Sequence, residues 1–81
     1  MSNALLRAKI ADINRQLAEK NLLAEQYAME LRELLDPSIM DYTTLPMLSF
    51  RKTANHLDNL WAEMCGLKKQ VAKMEEAVKN G

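Results

Sequence analysis

Apolar residues recur along this chain at alternating steps of four and three. The first run reads Leu6, Ile10, Ile13, Leu17, Lys20, Ala24, Tyr27, Leu31 and Leu34; the second reads Phe50, Thr53, Leu57, Leu60, Met64, Leu67, Val71, Met74 and Val78. Steps of four and three keep side chains on one stripe of an α-helix. Sustained over about four heptads, that stripe is a coiled-coil seam. Lys20 and Thr53 are its polar exceptions. A long lysine stem covers apolar neighbours while its ammonium reaches water, and a polar seam residue also specifies register at a cost in stability.

The helix breakers fall between the two runs. Pro37 pushes Asp36 out of the helical region. Thr44-Leu45-Pro46 reads as a capping threonine followed by a proline in the first turn. The expected elements are a helix over about 4–36, a loop over 37–44 and a helix over about 45–79, with Asn80-Gly81 as a stop. A loop of about eight residues cannot let two helices of about 50 Å run parallel, so they fold back as an antiparallel hairpin. Pairing positions whose numbers add to 84 matches every seam residue with another, Ile13 with Val71 and Leu17 with Leu67 among them. The same register puts Arg7 near Glu75, Glu30 near His56 and Asn21 beside Trp61.

Residues 1–81 make a single all-α domain, because a chain of 81 residues has room for one small core. Ala, Leu, Met, Glu, Lys, Arg and Gln dominate, which is the composition of long helices. Two helices bury one stripe each, and much apolar surface is left over. Leu22, Leu23, Met29, Leu35, Ile39, Met40, Tyr42, Met47, Ala54 and Trp61 lie outside the seam around the loop end. Ala28, Leu45 and Leu48 add to them, and Ala8, Ala11, Ala18 and Ala72 continue thinly toward the open end. Surface of this kind on a small chain predicts self-association of the hairpin into a four-helix bundle. Trp61 is expected to anchor it, because Asn21 is too small to cover an indole. Docking of another protein's helix, as in an adaptor or co-chaperone, is the alternative.

Charge changes the picture in one respect. Eleven Lys and Arg balance eleven Asp and Glu, which supplies no general attraction to nucleic acid or to acidic membranes. The distribution is uneven: the open end is net basic and the loop end net acidic, which favours two hairpins lying antiparallel. Arg15, Lys68, Lys69 and Lys73 form the densest basic group and are the candidate contacts if a hairpin dimer binds RNA or DNA. No aromatic residue interleaves these lysines to stack on bases.

Candidate chemistry is sparse. Cys65 and His56 are the one nucleophile and base combination, and nine helical steps place them on opposite sides. No glycine-rich phosphate loop, nucleophile elbow or paired metal-ligand spacing is found, so neither enzyme activity nor a cofactor or metal is expected. No run is long and apolar enough for a membrane span, and no signal-peptide pattern opens the chain. A single Cys fits a reducing, cytoplasmic setting. Gly66 stands inside the second helix, where a close backbone approach at a dimer interface is one use for it. The plan resembles small helical-hairpin dimers that serve bacteria as RNA-binding regulators, secretion co-chaperones or assembly adaptors; the resemblance is architectural and assigns no residue a role.

Overall fold

The structure is a computed structural model and describes residues 2–80. Helix α1 spans Ser2–Leu34 and helix α2 spans Met47–Asn80. They lie against each other as an antiparallel hairpin measuring 62 × 16 × 15 Å, and the described residues contain no strand. All eighteen seam residues are buried or half-buried. Ile13, Leu17, Leu60 and Val71 are the most enclosed, and Ile10, Met64, Leu67 and Met74 close around three of them. Seven described residues outside the seam are half-covered: Asn3, Gln16, Ala28, Ile39, Leu45, Ala54 and Cys65.

Three contacts across the hairpin fix its register. Lys20 Nζ donates to Glu63 Oε2 at 3.1 Å. The Tyr27 and His56 rings stack with centroids 5.7 Å apart, and Thr53 Oγ1 lies 3.5 Å from Glu30 Oε2. The residue numbers of each pair add to 83. Each pair joins a seam residue to a flanking residue, which accounts for the single step from the seam sum of 84. Two expected flanking pairs are replaced. His56 stacks on Tyr27 instead of pairing with Glu30, because the half-buried phenol ring offers it an apolar face. Arg7 and Glu75 form no ion pair among the described residues. Lys20 keeps its stem over the seam and its ammonium on Glu63 at the rim.

The turn differs from expectation at both helix ends. α1 stops at Leu34, and Leu35 completes its last turn by donating to the Leu31 carbonyl at 3.2 Å. Asp36, outside the helix and ahead of Pro37, accepts the Ser38 N–H on its carboxylate at 2.9 Å. Thr44 does not cap α2. Its hydroxyl and its N–H both donate backward to the Asp41 carbonyl, at 2.6 and 3.1 Å. Asp41 is the capping residue here, accepting from the N–H and hydroxyl of Thr43 to close a 3₁₀ turn over Tyr42–Thr44. α2 then begins at Met47, two residues later than expected, with the Pro46 carbonyl accepting its first bond from the Phe50 N–H at 2.9 Å. Proline at that threshold gives up an N–H that has no helical partner anyway.

Candidate functional site

A hairpin of this shape exposes more surface than a monomeric globular chain of its mass. Its accessible area is 6437 Å², against about 5,000 Å² for a compact protein of the same size. Its radius of gyration is 18.4 Å, against about 12 Å. Eight of the ten residues singled out for an interface are exposed: Leu22, Leu23, Met29, Leu35, Met40, Tyr42, Met47 and Trp61. Ile39 and Ala54 are half-covered. Trp61 is 62% exposed, as its small neighbour Asn21 requires. Leu5 and Leu48 are also exposed; Leu5 escaped the sequence reading because it stands alone at the open end, two heptads from the nearest large apolar neighbour on its side.

These residues do not form one face. With the seam at heptad positions a and d, positions e and b flank it on one side, g and c on the other, and f points straight away. Leu35, Met47, Ala54 and Trp61 all occupy e. Leu22 and Met29 occupy f on the back of α1, Leu48 occupies f on α2, and Leu23 occupies g. Ile39, Met40 and Tyr42 belong to the connecting turn. The flanks differ in composition. Ten of the twenty e and b residues are apolar or small: Ala4, Ala11, Ala18, Ala28, Leu35, Met47, Ala54, Trp61, Cys65 and Ala72. On the g and c side only Leu5, Leu23 and Ala77 are apolar.

The flanks differ in their contacts across the hairpin as well. All three cross-hairpin contacts that involve Glu30, His56 and Glu63 lie on the g side. Among the described residues the e side has no such contact. One groove there has Ala24, Ala28 and Leu57 in its lining, with Glu25 and Arg32 beside them. A second runs along α2 past Phe50 and Ala54, with Arg51 and Asp58 beside it. Seam residues are reachable from the e side, and also from the g side, where a third groove has Lys20 and Leu67 in its lining beside Glu63 and Gly66.

Of the four candidate nucleic-acid contacts, Lys69 and Lys73 are neighbours one turn apart on α2, while Arg15 and Lys68 lie on other faces. Arg15 lies on the back of α1, bonded to Asp12 and, at 3.4 Å, to Glu19 on its own helix. That hydrogen bond from Arg15, with a second from Gln16, holds the Asp12 carboxyl below its ordinary range. Lys68 is on the e flank, Lys69 on the back of α2 and Lys73 on the opposite flank. Cys65 and His56 fall on opposite flanks, and no three His, Cys, Asp or Glu side chains converge among the described residues. No described helix is long and apolar enough to cross a membrane. No protein-family model, curated protein or solved structure matches the chain.

Proposed function

We propose that the chain is a non-catalytic interaction protein whose working form is a homodimer of hairpins, a four-helix bundle. The observation that carries this reading is the mismatch between core and surface. Among the described residues four are buried while ten large apolar side chains stay exposed, on a rod whose area exceeds that of a compact monomer by about 1,400 Å². A stable interface removes about 800 Å² from each partner, so a second hairpin covers about half of that excess. The single cysteine and the absence of any disulfide are in keeping with a cytoplasmic setting. Sedimentation equilibrium at micromolar concentration tests the proposal. A species of twice 9.3 kDa is expected; a clean monomer with cooperative unfolding overturns it.

A second reading rests on the turn. Met40 is 93% exposed and Leu48 80%, with Tyr42 between them, and a side-by-side dimer leaves this tip uncovered. An adaptor or co-chaperone role, with a partner's helix received there, is supported by that cluster. Its mark is an isolated protein that binds apolar dyes through the tip, and Met40→Ser with Leu48→Ser should abolish the dye signal while leaving the oligomeric state alone.

A further inference from the structure

The e and b flank is a ladder that is complementary to itself when turned end for end. The register sets level residues of α1 and α2 against each other, so the flank reads as rungs from the open end to the turn: Arg7 with Glu75, Ala11 with Ala72, Asn14 with Lys68, Ala18 with Cys65, Asn21 with Trp61, Glu25 with Asp58, Ala28 with Ala54, and Arg32 with Arg51. Reversing that order puts Trp61 opposite Cys65, alanine opposite alanine, and Asp58 and Arg51 opposite Lys68 and Glu75, with Arg7 opposite Arg32 as the one exception. We infer that a second copy of this chain docks on this flank, antiparallel, with α2 on the partner's α2 about a two-fold axis level with residue 63. This inference rests on the homodimer reading and adds the face, direction and register to it.

The geometry of a two-fold fixes who meets whom. Two flanks facing each other with their turns at opposite ends place α1 over α1 and α2 over α2. Along α2, Trp61 then lies over the partner's Cys65, the one half-covered small residue beside the axis. Asp58 meets the partner's Lys68, Arg51 meets the partner's Glu75, and Ala54 meets the partner's Ala72. Met47 at the turn meets the stem of the partner's Lys79. Every one of these is a size or charge match, and each occurs twice. Along α1 the meetings are Ala11 with Ala28, Asn14 with Glu25 and Ala18 with Asn21, small enough for close helix approach. The one like-charge meeting, Arg7 with the partner's Arg32, lies at the periphery, where Glu75 stands on the adjacent rung position.

The alternative direction fails on the same residues. With both turns at one end, α1 lies over the partner's α2 and equal levels face each other. Glu25 then faces the partner's Asp58, Arg32 faces the partner's Arg51, and the two Trp61 rings compete for one level with only Asn21 opposite. The grooves past Ala24, Ala28 and Leu57, and past Phe50 and Ala54, lie on the docking flank and receive the small residues of the partner's open end. The flank runs most of a 62 Å rod that is 16 Å wide, which is of the order of the area a stable dimer buries per partner.

Disulfide trapping tests the register. In a Cys65→Ser background, Asp58→Cys and Lys68→Cys in one chain should give a covalent dimer on mild oxidation, while either substitution alone gives none. Positions 58 and 68 are about 15 Å apart along their own helix, too far to bridge within a chain or between two identical positions. Sedimentation is run on the same samples. A dimer that does not trap, with helix content unchanged, overturns the register while the homodimer stands; a monomer at all concentrations overturns both. A charge swap gives an independent answer. Lys68→Asp should weaken dimerisation at least tenfold, and adding Asp58→Lys to the same chain should restore it. If the double swap stays as weak as the single, the pairing is wrong.

Discussion

At Gly66 an added Cβ meets nothing within 4 Å, and no positive φ occurs at any described glycine. Glycine here contributes only backbone freedom to the unfolded chain, so Gly66→Ala should stabilise the hairpin by about 1 kcal/mol in denaturant unfolding. Gly66 lies on the g and c flank, away from Trp61. A close backbone approach at a dimer interface, one use the sequence allowed for it, would make the same substitution weaken association; unchanged sedimentation with raised stability is expected. The carboxylates of the turn give a second residue-scale test. Asp36 is held below its ordinary value of 3.8 chiefly by the Ser38 backbone N–H, and Asp41 chiefly by the Thr43 hydroxyl and then its N–H. A carboxyl whose folded pKa is depressed stabilises the fold above its unfolded value and loses that contribution as pH falls through the folded one. Carbon-detected titration should therefore place both midpoints below 3.8, and Thr43→Val should move that of Asp41 back up.

The two helices were legible residue by residue, and the turn between them was not. Heptad spacing is a global property: each of eighteen seam positions votes for the same stripe, so Lys20 and Thr53 do not spoil the pattern. Leu17→Ala, in the most enclosed stretch, should cost about 2–3 kcal/mol, the lower part of the usual range because a two-helix core is open at its sides. Lys20→Met should raise stability, since a thioether fills the seam without a charge to keep solvated on a side chain that is only one-third exposed; the surface partner Glu63 is worth under about 1 kcal/mol, as Glu63→Gln should show in the same unfolding assay. A turn offers no repeated vote. Asp41 and Thr44 are both good caps by residue type, and which one closes which turn depends on a choice between the 3₁₀ turn and α2 that the local sequence leaves balanced. The connecting 3₁₀ turn accordingly moved the start of α2 from 45 to Met47.

On the scale of the molecule, the exposed apolar residues and their division among flanks were both readable in the sequence, because heptad positions follow from the seam; the side-chain contacts across the hairpin were not, as His56 stacking on Tyr27 in place of pairing with Glu30 shows. Those heptad positions separate Leu22, Leu23 and Met29 from Trp61, and they set Arg15 and Lys68 apart from the neighbouring Lys69 and Lys73. Trp61 becomes the sensitive point. Its ring is 62% exposed on one hairpin, and covering the remainder in a dimer is worth about 2–4 kcal/mol by area, a thirtyfold or larger factor in affinity. The seam does not use Trp61, so Trp61→Ala should leave helix content at high concentration unchanged while moving the dimer dissociation constant up by that factor or more, given that each dimer holds two such rings. Tryptophan emission adds a reading on the unaltered protein, since this is its single indole. Dilution through the dissociation range should shift the maximum to the red as the ring meets water, in step with the sedimentation curve. Emission that is independent of concentration, together with normal association of Trp61→Ala, would place the interface on another flank and return Trp61 to the role of a solvent-facing residue beside the seam.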